Sequence, residues 1–299
     1  MEEVTELDIQ WYPGHMTKTI RQMQEDIKLV DLVIEIIDAR VPVSSRNPDI
    51  DALAAGKARL LVLNKADLAD EKENSRWLRY FKDQGIVAVL TDARNRGSVK
   101  TLMPSITEAC REKIERDRAR GMKERPIRTM VAGIPNVGKS TFINSFSGKA
   151  MAKTGNKPGV TRGKQWIRLG GKVELLDTPG LLWPKFEDKT VGENLALIRS
   201  INEQILDEES LALVLIRRLR EGYPGKLALR YKAEETGTDL AYLEEIGRRR
   251  GCLRKGGEID YGRAASILLD EYRAGILGRI SLEKAPEKVI TITSDPSES

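Results

Sequence analysis

The segment that most restricts what this chain can fold into is residues 133–141, which read GIPNVGKST and match the pattern G-x-x-x-x-G-K-[ST]. Residues 128–132 before it are largely apolar and predict a buried strand, and residues 141–146 predict the first turns of a helix. In that setting backbone N–H groups and the positive end of a helix dipole face phosphate oxygens. A chance glycine-rich turn is the alternative, and the flanking elements argue against it. The predicted phosphate-binding residues are Asn136, Val137, Gly138, Lys139, Ser140 and Thr141.

The composition limits the class of protein. With 299 residues the chain is expected to form two domains, because about 100–200 residues per domain is usual. No apolar run approaches the roughly 20 residues of a membrane span, so no membrane partner is expected. The two cysteines are too few for a zinc finger or a disulfide framework and favour a cytoplasmic location. The net charge of +5 is a weak indication of an anionic partner.

Hydrophobic periodicity predicts strands that alternate with helices. Such alternation indicates βαβ units, an α/β fold and a mainly parallel sheet. A glycine pair at 170–171 predicts a hairpin between the last two strands. The predicted strands are residues 32–37, 59–63, 85–90, 128–132, 164–169 and 172–176, and the predicted helices are residues 18–29, 71–84 and 98–120.

The strand signals end near residue 190. From there to about residue 280, stretches rich in Leu, Ala, Glu and Arg predict helices only. The sequence therefore predicts an α/β domain at 1–184, a small all-α domain at 185–282 and a disordered tail at 283–299, which is polar and contains two prolines.

The tetrapeptide Asn64-Lys65-Ala66-Asp67 follows a predicted strand. A carboxylate at Asp67 can accept from both the N1–H and the 2-amino group of guanine, and adenine has neither donor there. A buried polar group left unpaired discriminates strongly between bases, so the site is expected to select GTP over ATP. A second, weaker element is Asp92-Ala93, where the Ala93 N–H is expected to meet the base oxygen.

The segment Asp177-Thr178-Pro179-Gly180 also ends a predicted strand. Asp177 is expected to hold the Mg²⁺ shell together with the Ser140 hydroxyl, and the Gly180 N–H is expected to sense the γ-phosphate. Thr161, in a loop with glycines and a proline, is the candidate second hydroxyl on Mg²⁺, with an ordinary loop threonine as the alternative.

The order of these elements is unusual, because the base-recognition residues precede the phosphate loop. In this order the chain resembles a circularly permuted P-loop GTPase, and it is similar to one branch of that class, the bacterial ribosome biogenesis GTPase A family. The resemblance spans about residues 10–280. It rests on the segments Trp11–Met16, Asp38–Arg40, Ser45–Pro48, Asn64–Asp67, Gly133–Ser140, Pro158–Thr161 and Asp177–Gly180.

The resemblance implies a GTP hydrolase that binds the precursor of the large ribosomal subunit and promotes a late step of its assembly. Its implied partners are GTP or GDP, Mg²⁺, ribosomal RNA and ribosomal proteins. The permutation is physically reasonable because the ends of compact domains often lie close together. The charged residues 111–125 are the predicted connector, and residues 177–180 lead directly into the helical domain, so the nucleotide state is expected to reach that domain through a short covalent link.

One catalytic position differs from the usual pattern. Many small GTPases orient the attacking water with a glutamine after this element, whereas this chain has Leu181. Hydrolysis by the chain alone is therefore expected to be slow and to be stimulated by ribosomal particles. A histidine can orient a water at neutral pH, and the resemblance implies that His15, the only histidine, does so on the ribosome. The resemblance also implies that Asn136 coordinates K⁺, with plain turn geometry as the alternative.

The predicted helical domain carries two basic clusters. Such charge runs are usually solvated helix faces, and the residues alone do not decide between that role and RNA contact. The resemblance favours RNA, whose phosphates these side chains would contact without reading sequence. For residues 44–47, RNA contact and structural turn chemistry are left as alternatives. The candidate RNA contacts are Arg217, Arg218, Arg220, Arg248, Arg249 and Arg250.

Two other functions are kept as alternatives. A non-catalytic RNA-binding module that senses GTP stays open because of Leu181, and a P-loop kinase that uses ATP is disfavoured by Asn64 and Asp67.

Overall fold

The strands form a single sheet in the computed structural model, which describes residues 23–97, 102–147, 166–169, 171–177, 188–201 and 207–287. This six-stranded sheet has the order β3-β2-β1-β4-β6-β5. All neighbouring strands pair in parallel except β5 and β6, which form the predicted hairpin. The mainly parallel α/β prediction is therefore confirmed. The strands are β1 Leu32–Asp38, β2 Ala58–Asn64, β3 Val87–Leu90, β4 Ile127–Ala132, β5 Trp166–Leu169 and β6 Val173–Asp177.

Helices cover the sheet and then continue as a helical region. None of the helices in the described ranges is both long and apolar enough to cross a membrane. The helices are α1 Pro48–Leu53, α2 Glu71–Asp83, α3 Met103–Ala109, α4 Arg111–Ala119, α5 Lys139–Ser147, α6 Lys189–Leu197, α7 Glu208–Gly222, α8 Lys226–Tyr231, α9 Asp239–Arg250 and α10 Tyr261–Arg273.

The structure corrects two local predictions and adds one helix. Helix α1 was not predicted, although Asn47 caps it by accepting from the Asp49 N–H and Pro48 occupies its first turn. Strand β3 begins at Val87 rather than 85, because Gly85 has a φ of +72°. The single helix predicted at 98–120 is two helices, since Cys110 leaves helical geometry with φ −97° and ψ 7°. Cys110 itself is fully buried, whereas α4, which follows it, buries no residue.

The sheet places polar residues along one edge. Every residue of β1 is buried, and its last residue, Asp38, pairs in register with Asn64 at the end of β2. Strand β4 ends at Ala132, directly before the phosphate loop, and Asp177 at the end of β6 pairs with Val131. Because parallel strands share a carboxyl edge, these ends meet in one crevice, where α/β proteins usually bind ligands.

The helical region packs on the sheet through a continuous apolar core. One hydrophobic cluster includes Ile34 and Val131 of the sheet together with Leu215 of α7 and Leu268 of α10. The predicted division at 184 and 185 lies outside the described residues and stays a prediction. The connector prediction agrees with α4 and the segment that follows it, which lead into β4 at Ile127.

The disordered tail was predicted to begin at residue 283, but the first five residues of that segment are part of the described structure. Residues 283–287 are described, and the Glu283 carboxylate accepts hydrogen bonds from the backbone N–H groups of Val43 (2.6 Å) and Ser44 (2.9 Å). Asn194 of α6 donates to the same carboxylate at 3.1 Å. A half-buried carboxylate with donors on two sides holds the segment in place, and a polar composition alone does not reveal such partners. Residues 288–299 lie outside the described part.

Candidate nucleotide-binding site

The phosphate loop, residues 133–139, has a backbone that only glycine permits at two positions. Gly133 has a φ of +147°, and a Cβ there would lie 2.4 Å from the Ile36 carbonyl oxygen. Gly138 has a φ of +99°, and a Cβ there would lie 2.4 Å from Nδ2 of Asn64. The two glycines of the sequence pattern therefore let the loop pass close to β1 and to the base-recognition residues.

Four successive carbonyl groups of the phosphate loop each accept a hydrogen bond from a side chain. The consequence is that the peptide oxygens are bonded to protein donors, which leaves the loop N–H groups as the side that an anion can approach. The four bonds run from Lys139 Nζ to Ile134 O (2.7 Å), from Ser200 Oγ to Pro135 O (2.9 Å), from Lys65 Nζ to Asn136 O (2.8 Å) and from Asn64 Nδ2 to Val137 O (2.7 Å).

Asn64 connects the phosphate loop to the second base-recognition element. Its Nδ2 donates to the loop, while its Oδ1 accepts from the Ala93 N–H at 2.9 Å and from the Thr91 hydroxyl at 3.3 Å. Asn64 is thus a brace between segments that are far apart in sequence. The Ala93 N–H already donates to Asn64, so a contact with a guanine oxygen would require that this N–H be shared between the two acceptors or change partner. The contact between Ala93 and guanine stays a prediction.

Lys65 lies between β1 and the phosphate loop. It adopts a left-handed backbone conformation with φ 58°, and its Nζ lies 2.9 Å from Oδ2 of Asp38. Burial lowers the pKa of Lys65, while the Asp38 carboxylate opposes that shift. The charge of Lys65 is therefore held in place by an anion as well as by the loop carbonyl.

Asp38 ends β1 at the same edge of the sheet and pairs with Arg40, and no individual role was predicted for either residue. Asp38 is fully buried, and both of its oxygens accept from the Arg40 guanidinium, at 2.9 and 2.8 Å. Burial alone would raise the pKa of Asp38, but Arg40 and Lys65 outweigh burial and hold it well below its usual range. The guanidinium also lies over the ring of Tyr272, 5.2 Å from its centroid. The sequence signal for this cluster is an Asp-x-Arg pattern at the end of a buried strand, together with Lys65 directly after the neighbouring strand.

Asp67 has one oxygen that is paired and one that is not. Its Oδ2 forms an ion pair with Arg94 at 2.5 Å. Its Oδ1 is buried and has no hydrogen-bond partner within the described residues. Leaving a buried acceptor unsatisfied is costly, so this atom fits a ligand that brings a donor. The N1–H and 2-amino groups of guanine are such donors. Asp92 lies beside it and accepts from the Arg94 N–H at 3.0 Å.

These segments line a cleft of about 360 Å³. Its walls include base-recognition residues, phosphate-loop residues and three residues of the helical region, Ile198, Arg199 and Arg273. The helical region also contacts the phosphate loop directly, since Asn136 Nδ2 donates to the Arg199 carbonyl at 2.6 Å. The other residues that line the cleft are Arg40, Asn64, Lys65, Leu68, Asp92, Ala93, Arg94, Asn136, Gly138 and Thr141.

Several predicted site residues lie outside the described part, namely His15, Thr161, Gly180 and Leu181. Two predicted Mg²⁺ ligands belong to described elements. Ser140 lies in the first turn of α5, and Asp177 ends β6 beside Val131, two residues before the phosphate loop begins. Hydroxyl and carboxylate groups supply the hard oxygen ligands that Mg²⁺ prefers, so the chemistry of these two residue types fits Mg²⁺.

The candidate RNA-contacting arginines are all paired with carboxylates of the same chain. Arg218, Arg220 and Arg250 have between 21 and 31% of their side chains exposed and join different helices through Glu193, Asp239 and Glu271. The remaining three, Arg217, Arg248 and Arg249, are between 53 and 63% exposed. The sequence did not show these pairs because the acidic partners of the first group lie elsewhere in the chain.

Residues 44–47 behave as structural turn residues. The Ser44 N–H donates to Glu283, and the Ser45 hydroxyl accepts from the Asp38 N–H at 3.0 Å. Arg46 donates to Asp51 at 2.7 Å, and Asn47 caps α1. Of the two alternatives left by the sequence, the contacts support turn chemistry.

A phosphate loop that follows its own base-recognition residues, on a sheet of this order, defines a circularly permuted P-loop GTPase. A family model described as "50S ribosome-binding GTPase" matches residues 128–241. The chain is 47% identical over 283 residues to ribosome biogenesis GTPase A of Priestia megaterium, which covers 94% of this chain and 98% of that protein. It is 31% identical to the protein of the same name from Thermotoga maritima, over 95% of this chain and 97% of that one. The chain therefore belongs to the ribosome biogenesis GTPase A family.

Solved structures agree with this membership. The structure of GNP-bound YlqF from T. maritima superposes with a TM-score of 0.65 at 28% identity and covers 90% of this chain and 99% of that one. A GDP-bound YlqF structure gives a TM-score of 0.68 at 27% identity, over 88% and 99% of the two chains. The chain is thus a GTP hydrolase that, like GTPases of this class, works with Mg²⁺. A kinase that uses ATP and a module without catalytic activity are both excluded.

Proposed function

We propose that this GTPase binds the precursor of the large ribosomal subunit, promotes a late step of its assembly and hydrolyses GTP on docking. The observation that carries the proposal is the 47% identity to a ribosome biogenesis GTPase over 94% of the chain, which includes the helical region as well as the nucleotide site. The family model named for 50S binding also extends into that region, to residue 241. The bacterial relatives favour a cytoplasmic location.

In the proposed site, each half of the cleft binds one end of GTP. Asp67 Oδ1 accepts from the guanine N1–H and 2-amino group, and Asn64 holds the base loop against the phosphate loop. The N–H groups of residues 136–141 bind the β- and γ-phosphates, and Lys139 exchanges the Ile134 carbonyl for phosphate oxygens. Ser140, Thr161 and Asp177 would hold Mg²⁺, which would neutralise charge on the phosphates, and the Gly180 N–H would sense the γ-phosphate.

Water activation is assigned to His15, because Leu181 has no polar atom with which to orient a water. The matching variant is His15→Ala, which we expect to bind GTP and the ribosomal particle normally but to lose most of the particle-stimulated hydrolysis and to stay trapped on the particle. Single-turnover hydrolysis with saturating particles measures this. A wild-type rate in that assay would assign water activation to another residue or to ribosomal RNA.

Asn136 is the proposed K⁺ ligand. Its Nδ2 donates to Arg199, so Oδ1 is the atom that a cation would meet. K⁺ there adds positive charge near the β–γ bridge. Hydrolysis is expected to be faster in K⁺ than in Na⁺, and Asn136→Ala is expected to abolish the difference. Equal wild-type rates in the two salts would contradict the assignment.

RNA contact is proposed for the basic clusters of the helical region, and Arg217, Arg248 and Arg249 are the more exposed members. Exposed ion pairs contribute little to stability, so these guanidinium groups can exchange carboxylates for RNA phosphates at small cost. Arg218, Arg220 and Arg250 act mainly through the helix contacts that they make. The double variant R248Q/R249Q should weaken particle binding while R250Q should chiefly lower stability.

Co-sedimentation tests the proposal as a whole. The chain is mixed with precursor and mature large subunits in the presence of GDP or a non-hydrolysable GTP analogue, and phosphate release is measured in parallel with GTP. We expect binding to the precursor with the GTP analogue, weaker binding with GDP and faster phosphate release on particles. Absence of binding in both nucleotide states would reject the ribosomal proposal and leave the GTPase assignment intact.

A further inference from the structure

The chain that follows α10 runs alongside the base loop, which we define as residues 64–70. Three consecutive residues make the contacts. Arg279 donates from Nε to the Ala69 carbonyl at 2.7 Å and from Nη2 to the Ala66 carbonyl at 3.1 Å. The Ile280 N–H donates to the Leu68 carbonyl at 2.9 Å, and the Ser281 hydroxyl accepts from the Asp70 N–H at 3.1 Å.

Arg279 spans the turn that carries Asp67. One guanidinium binds carbonyl oxygens on both sides of that residue, and its planar fork is what makes two bonds in fixed geometry possible. The Gly275 backbone also approaches the turn closely, because a Cβ added there, where φ is +76°, would lie 2.7 Å from the Leu68 side chain. The turn is therefore held by the segment that follows α10.

The position of Asp67 matters because its Oδ1 is buried without a partner among the described residues. Its other oxygen contacts Arg94, whose side chain is 67% exposed and so holds it weakly. The direction of the unpaired oxygen is consequently set by the backbone of residues 66–69. A small displacement of a binding group can remove most of its contribution to recognition.

We propose that Arg279 is a positioning residue for guanine recognition, which holds the turn of the base loop so that Asp67 Oδ1 faces the 2-amino edge of the base. Arg279 does not touch the nucleotide. The inference rests on the proposed contact between Asp67 and guanine. It makes nucleotide selectivity depend on the segment that follows the helical region.

The test compares GTP with inosine triphosphate, which keeps N1–H but lacks the 2-amino group. Arg279→Ala is expected to weaken GTP binding about tenfold, or ~1.4 kcal/mol. Inosine triphosphate should lose less, so the ratio of the two affinities should fall. Arg279→Lys keeps the charge and the aliphatic chain but loses the fork, so it should lower the ratio even if Arg279→Ala does not fold.

Glu71→Gln is the matched control. It removes only the ion pair between Glu71 and Nη1 of Arg279, at 3.2 Å, and leaves both carbonyl bonds in place. Its affinity ratio should equal that of the wild type. A folded Arg279→Ala or Arg279→Lys protein with an unchanged ratio would overturn the inference, even if its melting temperature were lower, because that pattern indicates a purely structural role.

Asp67→Asn, measured with xanthosine triphosphate, separates the two levels of the argument. If it fails to shift preference towards xanthine, Asp67 is not the base contact and the inference falls with it. If it does shift while the Arg279 variants keep the wild-type ratio, the base contact stands and only the role of Arg279 is rejected.

Discussion

The base loop and the phosphate loop are held in different ways. The phosphate loop is held through its carbonyl groups by four side chains, and two of these donors, Lys65 and Lys139, are cations. The base loop is held through its carbonyl groups by Arg279 and by Asn74, which also donates to the Ala66 carbonyl at 2.9 Å. A lysine that holds the phosphate loop can therefore leave its carbonyl group to bind the ligand. The base loop is expected to keep its hydrogen bonds when the ligand binds.

The largest effect is expected at Asp38, the anion that Arg40 and Lys65 share. Asp38→Asn leaves these two cations without their buried carboxylate, and breaking a buried pair in this way costs about 3–5 kcal/mol. Urea unfolding at pH 7 measures the loss. Asp51→Asn is the control, because that carboxylate is 53% exposed and its pairs should contribute less than about 1 kcal/mol. Equal stability of Asp38→Asn and the wild type would contradict the shared-anion picture.

The same variant has a pH signature. The pKa of Asp38 is depressed in the folded chain, so its contribution is complete above the unfolded value of about 3.9 and is lost as the pH falls below it. The difference in stability between wild type and Asp38→Asn should therefore shrink below about pH 4. A difference that stays constant from pH 7 to pH 3 would show that the charge of Asp38 is not what stabilises the fold.

The next largest effect is expected at Lys139, whose hydrogen bond to the Ile134 carbonyl can be exchanged for one to the ligand. Lys139→Ala removes the cation that must leave the Ile134 carbonyl for phosphate, and we expect nucleotide affinity to fall about a hundredfold, or ~2.7 kcal/mol. Fluorescent nucleotide titration measures it, with Lys172→Ala at the exposed hairpin turn as control. A protein that still binds GTP normally would show that the loop N–H groups suffice.

Asp67→Asn tests the base loop. It removes the charged acceptor for the guanine edge, and GTP affinity is expected to fall at least about tenfold, or ~1.4 kcal/mol, with xanthosine triphosphate favoured instead. Competition titration of the two nucleotides gives the ratio. Retention of wild-type GTP affinity would remove Asp67 from the site.

The smallest effect concerns the contact between the helical region and the phosphate loop. Ser200→Ala removes one hydrogen bond to the Pro135 carbonyl, which is worth about 1 kcal/mol. The expected change is of that size in the free energy of unfolding, and Ser200→Thr, which keeps the hydroxyl, should restore most of it. If Ser200→Ala also lowered nucleotide affinity as much as Lys139→Ala does, Ser200 would be one of the principal supports of the phosphate loop.

Much of the cleft could be predicted from sequence because its residues follow strands. Asn64, Lys65 and the phosphate loop were assigned from short patterns at strand ends, and a parallel sheet brings such ends to one edge. Arg279 could not be found in this way, since it meets Ala69 across 210 residues and no periodic pattern marks that pairing. For the same reason the charge of Arg250 was visible in the sequence but its pairing with Glu271 was not.

The hydrogen bonds from Arg279 to the base loop have a consequence during translation, because the two segments are synthesised at different times. The ribosome synthesises the base loop early, but the residue that holds it follows 210 residues later. At about 5–20 residues per second, that interval is on the order of 10–40 s. During synthesis the growing chain would thus present a phosphate loop before its base loop is fixed, and full selectivity for guanine would be acquired only after the last helix has left the exit tunnel.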